Sequence, residues 1–115
     1  MKSIYYCLIT LSAVAAPPAH AQSVRNEGQA VRRVSESVAR NKLTSLKPEC
    51  LMFMAEKTER GYTVDVREKH DEKCGGDPQT APRLFSYEID RRSGKMKTDA
   101  PTPGGEWTGE YRAID

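Results

Sequence analysis

The sequence has little of what several classes of protein require. Its apolar run, residues 4–16, is far shorter than the roughly 20 residues that span a bilayer. The 18 basic and 16 acidic side chains nearly cancel, and this lack of concentrated positive charge argues against nucleic acid as the principal ligand. Hydrophobic residues make up 37% of the 115, which predicts a thin core in need of reinforcement.

The first 21 residues have the order of a secretory signal peptide. Lys2 supplies positive charge, the apolar run follows, and Ala19-His20-Ala21 forms a small-x-small cleavage site. We expect cleavage after Ala21, which removes Cys7 and leaves no membrane anchor. The product, residues 22–115, is expected to be periplasmic or secreted and long enough for one domain.

Two cysteines, Cys50 and Cys74, remain after this cleavage. An exported protein meets an oxidising compartment, so we expect a disulfide between them. Closing a loop of about 25 residues would stabilise the fold by roughly 3.5 kcal/mol. A metal site formed by both thiolates and His70 is the alternative, but it lacks a CxxC pair. We therefore expect no metal and no cofactor.

The first element after the signal peptide is predicted to be an amphipathic helix. Asn26 suits the N-cap, Glu27 the first turn and Gln29 the third position of a capping box. Pro48 is expected to end the helix at Lys47. The apolar stripe that would pack on the rest of the domain contains Val24, Ala30, Val31, Val34, Val38, Leu43 and Leu46.

Strand-like segments follow the helix. Residues 50–57 are too short and too apolar for a surface helix, residues 62–69 and 83–90 have alternating faces, and residues 95–98 form a shorter candidate. Gly61 is expected to supply a positive φ to the first hairpin turn. These segments predict an α+β fold over residues 22–98, with one N-terminal amphipathic helix packed on a three- to four-stranded antiparallel meander and one disulfide. Residues 99–115 form a Pro/Gly-rich tail whose Trp107, Tyr111 and Ile114 either dock as a last strand or stay mobile.

The end of the third strand carries a local motif. Ile89 and Asp90 precede Gly94 and Lys95 in "YEIDRRSGKM". Residues 27–98 resemble the small PepSY-type domains of secreted proteins, in which a strand finishes in an Ile-Asp-x-x-Ser/Thr-Gly-Lys turn. This resemblance implies a role in binding or restraining peptidases. The chain is also similar to small uncharacterised exported proteins of Gram-negative bacteria, which implies a location but no activity.

The stretch "HDEKCGGDPQTAP" contains His70, Asp71, Glu72 and Asp77, whose side chains suit acid–base or cation chemistry. A hydrolase would need a nucleophile beside a base, yet an oxidised Cys74 is unavailable and Ser86 alternates outward with no identifiable histidine near it. Calcium loops carry oxygen ligands at alternating positions, and phosphate loops carry Lys-Ser/Thr after the glycines; neither pattern is present. We expect no catalytic residue and no metal.

The same stretch predicts a tethered loop that turns sharply at its glycines and returns along its prolines. Rigid loops recognise partners at little ordering cost, and Arg, Trp and Tyr often dominate binding energy. The sequence therefore predicts a non-enzymatic module that binds another envelope or secreted protein, in the manner of an inhibitor or immunity-type antagonist of an enzyme. The alternatives are a small-ligand or envelope-surface binder that uses a concave space between helix and sheet, and, less favoured, a hydrolase. The predicted contact residues are Gly75, Gly76, Asp77, Gln79, Arg83, Arg91, Arg92, Trp107 and Tyr111.

Overall fold

A computed structural model describes residues 22–115, so the predicted signal peptide and its cleavage site lie outside the described residues. Residues 22–115 form one α-helix and a five-stranded antiparallel sheet with strand order β1-β2-β3-β4-β5. The predicted α+β class is confirmed, but the predicted count of three to four strands is wrong. The elements are α1 (Glu27–Asn41), a 3-10 turn (Pro48–Cys50), β1 (Leu51–Lys57), β2 (Gly61–Glu68), β3 (Arg83–Asp90), β4 (Met96–Thr98) and β5 (Arg112–Ile114).

The predicted N-cap at Asn26 is confirmed, but the Gln29 side chain bonds to the residue before the N-cap and not to the N–H of Asn26, as a capping box would. The Asn26 side chain accepts a hydrogen bond from the backbone N–H of Gln29 at 2.8 Å, and the Gln29 side chain accepts one from the N–H of Arg25 at 2.8 Å. The predicted end at Lys47 is wrong. Lys42 adopts a left-handed conformation with φ 51° and closes the helix after Asn41, so the chain has already left the helix when it reaches Pro48.

The helix packs on one face of the sheet through a stripe that differs from the predicted one. Its buried residues are Ala30, Val34, Ser37 and Val38, whereas Val31 is only half-buried. Ser37 lies in the stripe because its hydroxyl forms a 2.8 Å hydrogen bond with the buried Tyr87 hydroxyl. The sheet contributes Tyr62, Val64, Val66, Phe85, Tyr87, Ile89, Met96 and Ile114 to the same core.

Gly61 is required for a reason other than the predicted one. It lies in β2, and a Cβ there would overlap the carbonyl oxygen of Ile89 on β3. It is absent from the residues with positive φ, so that prediction is wrong. The next turn uses Gly94 at φ 71°, where its N–H donates to the Asp90 carbonyl at 2.8 Å.

The fifth strand comes from the segment that the sequence assigns to a tail. Ile114 pairs with Met96 and is buried, which confirms the docking alternative for this residue. Asp99 and Ala100, at the start of the same segment, are also buried. The Asp115 carboxylate accepts hydrogen bonds from Arg40 and Asn41, so this strand is fixed to the end of α1. Within residues 22–115 no helix is long and apolar enough to cross a membrane.

Candidate functional site

Two long connections leave the sheet at the same end. Loop 69–82 joins β2 to β3, and segment 99–111 joins β4 to β5. Leu51 pairs with Glu68 and Thr98 with Arg112, so β1 also begins at this end. We call this region the loop end of the sheet. The β3–β4 turn lies at the opposite end.

Loop 69–82 is joined covalently to the start of β1. Cys50 and Cys74 form the predicted disulfide, with a Cα–Cα distance of 5.6 Å. The backbone N–H of Lys69 donates to the Cys50 carbonyl at 2.8 Å, which extends the β1–β2 pairing past the end of the strands. The first half of the loop is therefore held to β1 by both a covalent bond and a backbone hydrogen bond.

The turn around Cys74 is organised by one carboxylate and two glycines. Asp71 Oδ1 accepts hydrogen bonds from the N–H groups of Lys73 at 2.9 Å and Cys74 at 2.7 Å. The N–H of Gly75 donates to the Asp71 carbonyl at 2.9 Å. Gly75 and Gly76 have φ values of 77° and 83°, a region that side chains other than glycine rarely occupy. The predicted sharp turn at the glycine pair is confirmed.

His70 holds the two halves of the loop together. Its Nδ1 lies 2.8 Å from the carbonyl oxygen of Asp77, and its Nε2 lies 2.8 Å from a carboxylate oxygen of Glu68. A Cβ at Gly76 would lie 2.7 Å from the imidazole, so only glycine lets the chain pass this closely over the ring. The side chain of His70 is 12% exposed. Its role in the loop is thus to anchor the backbone.

These contacts favour the charged form of the imidazole. The imidazolium can donate to both acceptors at once, whereas a neutral ring carries a single N–H. The hydrogen bond with Glu68, and then the one with the Asp77 carbonyl, raises the pKa of His70 above its ordinary value of 6.5. The Thr80 hydroxyl, 3.1 Å from Nδ1, is the remaining polar neighbour.

The returning half of the loop is also fixed by hydrogen bonds. Asp77 Oδ1 accepts from the N–H of Gln79 at 2.9 Å, which forms a local turn. The Arg67 guanidinium donates to the Ala81 carbonyl at 2.9 Å, and the N–H of Glu68 donates to the Pro82 carbonyl at 2.9 Å. Residues 75–80 are nevertheless exposed along their whole length. The loop thus presents exposed groups on a backbone that is fixed on both sides.

A polar cluster lies beside this loop on the face of the sheet that is remote from α1, which we call the outer face. Ser86 on β3 donates to Asp65 Oδ1 at 2.6 Å. The Arg83 guanidinium donates to Ser86 Oγ at 3.1 Å and to Asp99 Oδ2 at 3.0 Å, while the N–H of Ser86 donates to Asp99 Oδ1 at 2.7 Å. The sequence correctly places Ser86 outward, but it gives no sign that Ser86 and Asp99 are buried there. Each contacts the other, because the N–H of Ser86 donates to the Asp99 carboxylate and the N–H of Asp99 donates to the Ser86 carbonyl.

Tyr111 joins this cluster. Burial raises the pKa of its phenol, and the neighbouring carboxylates of Asp99 and Glu88 raise it further. Its side chain is 40% exposed, so it contacts the cluster while presenting one surface to solvent. Arg83 is similar, because its side chain is 38% exposed while it bonds to Asp99. The structure therefore brings together two of the predicted contact residues, Arg83 and Tyr111.

The structure separates the other predicted contact residues into two places. Arg91 and Arg92 lie in the turn after β3, and the seven residue steps from Arg83 to Asp90 alone span about 23 Å. Trp107 is 58% exposed, and its ring packs against Gly109 within segment 99–111. The loop residues, Arg83 and Tyr111 thus lie at the loop end of the sheet, while the two turn arginines lie at the opposite end.

The cluster has the geometry of a structural connection. The hydrogen-bond partners of the Ser86 hydroxyl are a carboxylate and a guanidinium, and no histidine is among them. Residues 22–115 contain no group of three or more His, Cys, Asp or Glu side chains that could hold a metal ion. These charge-assisted hydrogen bonds connect β2, β3 and the start of segment 99–111.

The space between helix and sheet, which the small-ligand hypothesis would use, is filled by side chains. Val34, Val64, Val66 and Tyr87 are fully buried there. An open groove of about 640 Å³ lies instead near the turns at the opposite end from the loop, where it is lined by Thr58, Arg60, Asp90, Ser93 and Lys95 among others. Loop 69–82 does not line this groove.

No family model, curated protein or solved structure matches this chain. The resemblance to PepSY-type domains therefore stays a prediction. The proposed function therefore rests on the geometry of the loop end.

Proposed function

We propose that this chain is an exported, non-enzymatic protein-binding module that acts as an inhibitor or immunity-type antagonist of an envelope or secreted enzyme. The observation that supports this proposal is the combination of exposure and fixation in loop 69–82. Residues 75–80 are exposed, while the disulfide, the Asp71 turn and the His70 contacts fix the backbone on either side.

A fixed loop suits recognition because of the entropy of binding. Ordering a mobile side chain at an interface costs about 0.5–1.5 kcal/mol, and ordering backbone adds to this cost. A loop whose backbone is already held in the free protein avoids much of that loss. Inhibitors that present a preformed loop can therefore bind tightly through a small surface.

The residues around the loop have the composition of an interface. Arg83 and Tyr111 belong to the types that are enriched in binding hot spots. Arg83 uses one terminal nitrogen for both Ser86 and Asp99, which fixes its orientation, and its side chain is still 38% exposed. We therefore assign the contact surface to residues 75–80 with Arg83 and Tyr111, and leave the distant turn arginines outside it.

The start of the sequence and the disulfide support the proposed exported location. A positive charge, an apolar run and a small-x-small site follow one another in residues 1–21, which is the order expected of a signal peptide and supports export. A disulfide is stable in an oxidising compartment. The peptidase-restraining role implied by the PepSY resemblance belongs to the same class of function and would be one form of it.

The proposal can be tested by capture from an envelope fraction. The purified, disulfide-bonded protein is immobilised and captured proteins are identified by mass spectrometry. Gln79→Arg changes an exposed loop side chain, so we expect it to weaken capture of the specific partner at least tenfold. Glu36→Arg places the same side chain on the exposed face of α1 and should leave capture unchanged.

A coarser variant extends this test. Replacing residues 77–79 by Gly and Ser, with Gly76 kept, should abolish capture while circular dichroism still shows the folded domain. A partner that binds this variant and Gln79→Arg as well as the parent would contradict the assignment of the contact surface to the loop.

A further inference from the structure

Five arginines lie at the end of the sheet opposite the loop end. They come from four separate parts of the chain, namely the segment before α1, α1 itself, the β1–β2 turn and the β3–β4 turn. We call them the arginine cluster, and its members are Arg25, Arg33, Arg60, Arg91 and Arg92. The contact surface assigned above uses none of them.

Backbone hydrogen bonds bring three of these segments together. The N–H of Arg91 donates to the Arg60 carbonyl at 2.9 Å, which joins the two turns. The Arg91 carbonyl accepts from the N–H of Val24 at 2.9 Å, which places the neighbouring Arg25 beside the same turn. Positive charges from distant parts of the sequence are thus collected at one end of the fold.

The helix adds Arg33 to this end. Its guanidinium donates to the Gln22 carbonyl at 3.1 Å, and it lies so close to Gly94 in the β3–β4 turn that a Cβ there would overlap it. Arg33 is half-buried, whereas the other four members of the arginine cluster are exposed. The exposed guanidinium groups are therefore open to a ligand outside the chain.

The protein does not neutralise the charge of the arginine cluster. In residues 22–115 no salt bridge involves any of its five members, whereas Arg40, Arg67 and Arg83 each contact a carboxylate. Over residues 22–33, 58–60 and 90–95, which contain the cluster, basic side chains outnumber acidic ones by seven to three. Over the whole chain the two kinds nearly cancel, at 18 to 16, so the positive charge is concentrated at this end.

No large exposed apolar side chain accompanies this charge. Within residues 22–115 such side chains belong to other segments, and they are Leu46, Met52, Met54, Trp107 and Tyr111. The core of a protein–protein interface is usually rich in aromatic residues and poor in charge, and single-stranded nucleic acid stacks on aromatic rings. The arginine cluster therefore has the composition of a surface that binds through charge alone.

We propose that the arginine cluster binds the phosphate groups of an anionic lipid bilayer. Clustered basic residues bind such a surface by electrostatic attraction, and a guanidinium can donate two parallel hydrogen bonds to one phosphate. Because a bilayer is an extended surface, the arginines need only lie at one end of the molecule and need not converge on one point. The proposed exported location places the chain beside lipid surfaces, and to that extent the inference rests on the proposed function.

Binding at this end would also orient the protein. β3 runs from Arg83 at the loop end to Asp90 beside the arginine cluster, and its seven residue steps span about 23 Å. A molecule held on a bilayer through the cluster presents loop 69–82 on the side away from the lipid. The bilayer and the proposed protein partner would then be bound at opposite ends, so neither excludes the other.

Cosedimentation with lipid vesicles tests the proposal. The exported protein, with residues 1–21 removed, is mixed with vesicles of phosphatidylcholine or of a two-to-one mixture of phosphatidylcholine and phosphatidylglycerol. At low ionic strength it should bind the anionic vesicles and not the neutral ones, and binding should weaken as NaCl is added, because salt screens exposed charges. Equal binding to both kinds of vesicle, or no binding to the anionic ones, would overturn the proposal.

Substitutions within the arginine cluster locate the binding surface. Each basic residue near an anionic surface strengthens binding roughly fivefold, so Arg91→Gln with Arg92→Gln should lower the partition coefficient about 25-fold. Arg25→Gln with Arg60→Gln, in two other segments, should give a decrease of the same size. Arg91→Lys with Arg92→Lys keeps both charges and should retain binding to within about threefold. Circular dichroism shows whether each variant is folded.

A matched pair at the loop end serves as the control. Lys47→Gln with Lys73→Gln removes the same charge from two exposed positions and should change the partition coefficient little. If this pair and the two glutamine pairs of the arginine cluster weaken binding equally, the proposal is wrong. Arginine-dependent capture of an acidic envelope protein, without binding to anionic vesicles, would likewise replace the lipid by a protein. The vesicle assay does not use loop 69–82, so its failure would leave loop-dependent capture, and with it the proposed function, intact.

Discussion

Removing the disulfide should destabilise the domain by an amount that its position determines. Cys50 and Cys74 are 24 positions apart, so their bond closes a loop of about 25 residues in the unfolded chain. On the chain-entropy model, releasing that loop costs about 3.5 kcal/mol of folding free energy at 25 °C. For a domain of this size, such a loss lowers the melting temperature by roughly 14 to 28 °C.

The assay is thermal and urea unfolding of the oxidised protein and of a Cys50→Ser/Cys74→Ser variant. Treating the parent protein with a phosphine reductant should reproduce the loss without any substitution. The folded variant should keep the strand register, because the Lys69–Cys50 backbone hydrogen bond does not involve sulfur. A decrease in folding free energy of less than about 1 kcal/mol would refute the reasoning. It would mean that the unfolded chain gains little conformational entropy when the bond is removed.

Two further predictions concern single contacts. Tyr87→Phe should lower the free energy of unfolding by about 1–2 kcal/mol because it removes the buried hydrogen bond to Ser37. In urea unfolding, the double variant with Ser37→Ala should lose less stability than the two single variants added together, and additive losses would contradict this coupling. The pKa of His70 is raised above 6.5, so the stabilisation it gives to the loop is complete below about pH 6.5 and is lost as pH rises through the raised value. An NMR titration that finds the His70 pKa at or below 6.5, or amide exchange in loop 69–82 that shows no added opening at high pH beyond the intrinsic rate, would contradict this prediction.

The elements with clear local patterns could be predicted from the sequence. Alternation in "YTVDVREK" places Tyr62, Val64 and Val66 inward, and the structure confirms it. The N-cap at Asn26 and the disulfide were also predictable, because each depends on chemistry within a few residues or on the small number of cysteines. These features can be recognised without knowledge of the tertiary fold.

The features that were missed depend on contacts between distant segments. Ser37 is polar, so it interrupts the apolar stripe, and only the Tyr87 hydroxyl fifty positions away explains its burial. Gly61 resembled a turn glycine, whereas the close approach of β3 to β2 is what requires it. The burial of Asp99 and the docking of β5 likewise depend on where segment 99–111 returns. Periodicity along the chain carries no information about such contacts.

The central claim is that loop 69–82 is held in one conformation before any partner binds. Backbone ¹⁵N relaxation of the free, oxidised protein tests it most directly. We predict order parameters of about 0.85 for residues 70–80, the value of rigid backbone, and a clear decrease in the Cys50→Ser/Cys74→Ser variant. Order parameters below about 0.6 for these residues in the oxidised protein would contradict the claim.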